Sequence, residues 1–237
     1  MDKSRALRLK VSLDQVREEF QSGFLHTDPV EFPRRFANPL DREAAGYLTA
    51  GLAYGSVPQI RRSVERLLER LGPHPAAVLR KNGRPELERR MRGFVHRWSR
   101  GSHVARAGLA LGRIFRGWGS LEAFFREGDS GAGDAAEAAS SFARRALRLA
   151  GPRPGRGVEW FFPDPGRGSA AKRLFLFLRW MARPDDGVDL GVWKSLDPSR
   201  LLVPLDTHLF RIGWGLRMTA RRTPGLVAAR DITARLK

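Results

Sequence analysis

Two residues in the second half of the chain have the type and setting to do chemistry, Lys172 and Asp206, 34 positions apart. Lys172 belongs to PDPGRGSAAKRLFLFLRWM (163–181), a Gly-rich turn running into an apolar helix. Gly166 and Gly168 allow close approach of backbone to a neighbour, and the amides of a helix start can receive a phosphate. The pattern puts Lys172 about one turn into the helix, beside the apolar run Leu174–Leu178. Desolvation favours the neutral form of an amine, and a neutral amine is a nucleophile toward an electrophilic carbon. The competing reading makes Lys172 a phosphate contact or a lysine that snorkels to the surface. Asp206 belongs to LLVPLDTHLFRIGWGLR (201–217) and precedes a helix that it can cap through the amides of Leu209 or His208. The same placement fixes a carboxylate where it can stabilise developing positive charge or relay a proton. Capping alone is the plainer reading, and both roles can coexist.

Other chemistries lack their residues. There is no GxxxxGK[ST], HExxH or GxSxG motif. The histidines, at 26, 74, 96, 103 and 208, show no metal-ligand spacing and read as surface or hydrogen-bonding residues. Asp185, Asp186 and Asp189 sit in a glycine-containing segment that reads as a solvated turn rather than a calcium loop. With no cysteine, disulfides, thiol nucleophiles and Cys-ligated zinc or iron–sulfur clusters are excluded, and a reducing compartment fits. Neither a signal peptide nor a membrane span is expected.

The chain of 237 residues carries a net charge of +18, which points to a polyanion, nucleic acid before membrane. The excess is regional. Residues 1–80 carry +3, 81–118 carry +8, 119–150 carry −1 and 151–237 carry +8. A mere arginine bias would spread it evenly, whereas phosphate contacts come from clustered Arg and Lys.

The elements needed to position these residues read as all-α, roughly ten helices. A helix is expected over 12–21 with Ser12 as its cap, then an extended or turn segment over 24–38. Asp41 is expected to cap the next helix and Ser56 the one after, with Ile60, Val64, Leu67, Leu68 and Leu71 facing inward. Short helix follows at 74–80, a basic helix at 84–98, then helices capped by Ser102 and Ser120 and another over 135–150. Residues 151–168 are too rich in Gly and Pro for regular helix. Helices follow over 169–181, 207–217 and 223–237. LLVPL is the one strand candidate, and Pro204 argues against it. The last helix runs to the final residue, so a truncated form of a longer chain is expected.

At the two chemical segments the sequence resembles the helix-hairpin-helix DNA glycosylase superfamily, the endonuclease III group. PLDTHLFRIGWGLRM is similar to its catalytic-aspartate motif. PGRGSAAKR resembles, more loosely, its hairpin and catalytic lysine. DREAAGYLTAGLAYGSVPQIRRSVERLLERLG resembles the early helix pair whose turn approaches DNA. From FLHTDPVEFPRRF onward the chain also resembles an uncharacterised bacterial family, a domain of unknown function assigned to that superfamily. The two candidates are farther apart than in endonuclease III, and in this respect the archaeal 8-oxoguanine glycosylase branch is more similar. The glycine spacing departs from the usual LPGxGxxTA pattern, and the four cluster cysteines have no counterpart.

The resemblance implies a two-lobed helical fold with a cleft between lobes, 39–150 forming mainly one lobe and 1–38 with 151–237 the other. It implies Lys172 as nucleophile and Asp206 as catalytic carboxylate. Gly166, Arg167, Gly168, Ser169, Arg173, His208 and Arg211 become DNA contacts, with hairpin amides on phosphate beside a monovalent cation. Trp180, Trp193, Trp214 and Phe161 are the aromatics available to grip a base, and most of them read as core residues. The implied protein is a monomeric, cytoplasmic, nucleoid-associated glycosylase and AP lyase acting on damaged double-stranded DNA, 8-oxoguanine first. A DNA-binding module without catalysis is the alternative, and an RNA-binding or ribosome-associated helical protein, supported only by charge, is weaker still.

Overall fold

The computed structural model describes residues 3–20 and 27–237. Among these, regular structure is helical apart from one small hairpin. His26 and the segment 21–26 lie outside the described residues, so the end of the first expected helix does too. Helix α1 (Lys3–Phe20) begins well before Ser12. The Ser12 hydroxyl donates back to the Arg8 carbonyl at 3.2 Å, so it is an interior residue and not a cap. A one-turn helix α2 (Glu31–Arg34) forms inside the expected extended stretch and tolerates Pro33.

Helix α3 (Pro39–Gly51) is capped by Asn38, whose Oδ1 accepts the Leu40 amide at 2.8 Å. Asp41, expected as that cap, is instead buried in the first turn and accepts the Ala76 amide at 2.8 Å. It thereby ties α3 to α5 (Pro75–Lys81). Helix α4 (Val57–Leu71) buries Ile60, Val64, Leu67, Leu68 and Leu71 as the spacing requires. Each such side chain contributes roughly 1.5–3 kcal/mol when fully buried. Ser56 holds the N-cap position without a side-chain hydrogen bond.

The expected basic helix over 84–98 is only half present. Helix α6 (Arg84–Arg90) stops, Gly93 turns the chain at φ +71°, and β1 (Val95–His96) pairs antiparallel with β2 (Ser99–Arg100). Helix α7 (Gly101–Trp118) follows, starting before Ser102, and the His103 ring accepts the Arg100 amide at 3.2 Å. It runs through the middle of the molecule, packed on α5 and α6. This packing requires glycine: a Cβ on Gly112 would stand 2.0 Å from the Leu79 carbonyl oxygen.

Helix α8 (Leu121–Glu127) is capped by Ser120 as expected. Then come α9 (Ala136–Leu149), the one-turn α10 (Arg156–Glu159), α11 (Lys172–Ala182), α12 (Thr207–Gly215) and α13 (Leu226–Leu236). The LLVPL segment is extended but unpaired with any strand. The acidic segment is a solvated turn only in part: Asp185 is exposed, Asp186 is half-buried and Asp189 is not solvated at all. Asp189 is fully buried between Arg179 and Arg183, and Asp185 pairs with Arg34 at 2.8 Å.

Two hydrophobic clusters result. The larger extends from Val30 to Leu202 and takes in residues from both expected lobes. The smaller joins Ala170, Leu205, Met218, Ala228, Ala229 and Ile232, with Leu9 of α1 against it. Helix α11 packs on α3 within the larger cluster, whereas α12 and α13 pack on each other around the smaller. The first residue of α11 and the cap of α12 therefore approach each other from differently packed bodies.

Candidate functional site

Ala171 sits at φ +43°, an unfavourable region for a residue with a Cβ, and this bend ends the preceding loop. Lys172 is therefore the first residue of α11, not one turn inside it. Asp206 is the N-cap of α12, and its Oδ1 accepts the Leu209 amide at 2.9 Å. Its other oxygen, Oδ2, lies 3.3 Å from the Lys172 Nζ, with each side chain 35% exposed. Burial alone would raise the Asp206 carboxyl. The Leu209 amide, the lysine charge and the His208 amide together outweigh it and hold the group below its ordinary range. One oxygen of this carboxylate thus caps α12 while the other faces the Lys172 amine.

The pair lines a pocket of about 720 Å³. Its lining includes Ala53, Tyr54 and Gly55 from the α3–α4 turn and Val57 of α4. Trp160, Ser169 to Arg173, Leu205 to His208 and Pro224 line it as well. Tyr54 meets Trp160 edge-on at 5.3 Å, and the Arg173 guanidinium lies 3.7 Å from the Trp160 ring centroid. Trp160 carries a buried indole N–H that has no protein partner.

Of the expected DNA contacts, His208 is exposed on the pocket wall, and Ser169 is exposed at its edge. Gly166, Arg167 and Gly168 form an exposed 3-10 turn whose amides are already engaged. They donate to the Asp164 Oδ1, the Asp164 carbonyl and the Pro165 carbonyl, at 2.8, 3.2 and 2.9 Å. A phosphate on those three amides is thereby disfavoured. The carbonyls of Asp164, Pro165 and Gly168 each accept an amide proton, the last from Leu226 at 2.9 Å.

Arg173 is not an outward phosphate contact. Its guanidinium turns in over Trp160 and donates to the Gly51 carbonyl at 3.1 Å, and burial lowers its pKa to about 10. Arg211 is exposed on α12 but is not part of the pocket lining.

The aromatics expected to be available for a base are elsewhere. Trp180, Trp193 and Phe161 are core residues, and Trp214 is 58% exposed beside a separate groove with Arg217 and Arg222. The rings at the site, Tyr54 and Trp160, were missed because their segments are far apart in sequence. The one local signal was the YG dipeptide closing a helix in the pair that the resemblance places near DNA.

Among the described residues no group of three or more His, Cys, Asp or Glu could hold a metal ion, and the chain has no cysteine. No described helix is long and apolar enough to cross a membrane.

A family described as "Protein of unknown function (DUF2400)" matches residues 28–237. The chain belongs to that family. Its match takes in every residue of the pocket, from Asp28 to Pro224. No curated protein and no solved structure matches the chain.

Proposed function

We propose that this protein is a DNA glycosylase with AP lyase activity, built on a two-lobed helix-hairpin-helix framework. The observation that carries the reading is the Lys172–Asp206 pair, 3.3 Å apart in an aromatic-walled pocket of about 720 Å³. That volume suits one nucleotide, since small-ligand sites run about 300–1,000 Å³. The net charge of +18 supplies attraction to the phosphate backbone.

In this reading the damaged nucleotide leaves the base stack and enters the pocket. Deprotonated Nζ of Lys172 attacks the anomeric carbon, and the glycosidic bond breaks as the base leaves with the bonding electrons and takes up a proton. The Asp206 Oδ2 is within reach of the amine, accepts the proton that Nζ sheds once the C–N bond has formed, and passes it to the departing base. The same carboxylate stabilises positive charge growing on the sugar. Opening of the sugar ring gives an imine between Nζ and the former anomeric carbon. Loss of a C2′ proton then expels the 3′ phosphate, and water hydrolyses the imine to release Lys172. No metal or cluster enters any step.

The alternative is a module that kept the surface and lost the chemistry. A binder needs basic surface but not an amine and a carboxylate meeting in one pocket. Single-turnover base release from duplexes carrying 8-oxoguanine and other oxidised, deaminated or alkylated bases decides between them. Release of at least one base, with strand nicking, supports the enzyme. Tight, salt-sensitive binding with no release from any lesion supports the module.

A further inference from the structure

The hairpin of β1 and β2 stands one ring outside the pocket. Its burial alternates: His96 and Ser99 point in, while Val95, Arg97, Trp98 and Arg100 are exposed. The inward residues form an anchor. The His96 Nδ1 lies 2.9 Å from the Ser63 hydroxyl, and its Nε2 lies 3.0 Å from the Tyr54 carbonyl. The Tyr54 carbonyl can only accept, so Nε2 donates to it, and burial lowers the pKa of the ring. The Tyr54 hydroxyl closes the network, 2.8 Å from the Ser99 hydroxyl and 3.0 Å from the His96 carbonyl.

This anchor presents a large indole to solvent. Trp98 is 49% exposed, yet stacked on Tyr54 with ring centroids 4.5 Å apart and planes 25° off parallel. It meets Trp160 edge-on at 5.1 Å. The Arg97 guanidinium lies 5.0 Å from the indole centroid, and Arg97 holds φ +51°, a costly conformation for a residue with a Cβ. An aromatic ring held rigidly, half exposed and flanked by exposed arginines is the composition that binds unstacked bases. Tyr54 and Trp160 line the pocket whereas Trp98 does not, so a base on the exposed indole would lie beside the pocket and not in it.

We propose that Trp98, with Arg97, is a stacking platform for an unstacked nucleobase adjacent to the nucleotide that the pocket receives. Arg97 moves from the indole to a neighbouring phosphate when the base arrives. The inference rests on the DNA reading of the pocket, but not on its chemistry.

The test uses the full chain and duplexes with one abasic site, carrying 2-aminopurine in turn at the two flanking positions and opposite the site. Stacking on Trp98 quenches this fluorophore at one of those positions and leaves the others unchanged. Trp98→Leu keeps an apolar cover on Tyr54 without a ring. It relieves the quenching and weakens binding roughly tenfold. Trp98→Phe retains most of both. Circular dichroism melts establish that the variants fold. Equal binding and unchanged fluorescence in a folded Trp98→Leu protein overturn the platform even when the parent releases base. Trp98-dependent quenching in a parent that releases no base upholds the platform while the enzymatic reading falls.

Discussion

Replacing Asp206 separates its helix cap from its proposed catalytic role, because each uses a different oxygen. Asparagine keeps an oxygen for the Leu209 amide, now bonded at 2.9 Å, and puts an amide NH₂ where Oδ2 faces Lys172. Asn caps about as well as Asp, so its cap term changes little. The lost ion pair is a third exposed on each side and is worth about 0–1 kcal/mol after solvent screening. Alanine loses the cap as well, at about 0.5–2 kcal/mol. The upper half of that range is expected, because α12 has nine residues and only Gly213 among them is fully buried. Asp206→Ala should therefore cost about 1–3 kcal/mol and Asp206→Asn about 0–1 kcal/mol. At about 2–4 °C per kcal/mol for a chain of this size, the melting temperatures should differ by several degrees. Catalysis should not follow that order. Both variants lose the proton acceptor, so both should slow single-turnover base release by about 10²–10⁴. The pH dependence has a fixed sign. The carboxyl is held below its ordinary range, so its stabilising contribution is present above the unfolded pKa and is lost as pH falls through the folded one. Thermal melts beside single-turnover kinetics check all of this. Parent-like base release by Asp206→Asn, or equal melting temperatures for the two variants, would refute the division of labour.

Other outcomes follow from the same geometry. Lys172→Ala should abolish base release while leaving duplex affinity within about twofold, since one cation among 43 contributes little to the field that gathers DNA; electrophoretic mobility shifts check the binding. That affinity should fall with salt, with a log–log slope of about −0.9 per phosphate contacted, and a binding constant unchanged over a tenfold rise in salt contradicts it. Glu43, buried in α3, accepts the Leu121 and Glu122 amides and the Trp193 indole N–H, at 2.8, 3.0 and 2.6 Å. Burial nevertheless pushes its pKa up to about 7. The folded state thus keeps a proton that the unfolded chain releases near pH 4.5, so stability should decline between about pH 4.5 and 7 and Glu43→Gln should flatten that decline. The same variant should cost about 1–3 kcal/mol at pH 5, because its NH₂ faces a buried amide donor, and urea melts at several pH values measure both. Gly112→Ala should destabilise by at least 1–3 kcal/mol through its clash with the Leu79 carbonyl, again read by urea melts.

Local signals were the legible ones. The apolar spacing of α4, the Ser120 cap of α8 and the Asp206 cap of α12 each depend on residues within a turn or two of each other. The hairpin at 95–100 was hidden because two-residue strands are too short for alternation to register, and the preceding arginines continue a helical pattern. Lys172 was misplaced by one turn because the left-handed bend at Ala171 has no glycine to announce it. The approach of Lys172 to Asp206 is legible from the family resemblance together with their places at successive helix starts. The aromatic wall is not, because Tyr54, Trp98 and Trp160 come from three separate segments and meet only through tertiary packing. Glu43 was silent for a related reason. In DREAAG it reads as a polar helix face, and only the arrival of α8 and Trp193 makes it a buried acceptor.

The central claim is that the Lys172 amine forms a covalent imine with a deoxyribose. Borohydride reduction during incubation with a duplex containing an abasic site, followed by peptide mapping of the adduct, tests it most directly. The account predicts a trapped protein–DNA adduct at Lys172 that is absent from Lys172→Ala. A parent protein that binds the duplex but forms no adduct, or an adduct that persists undiminished in a folded Lys172→Ala protein, would contradict it.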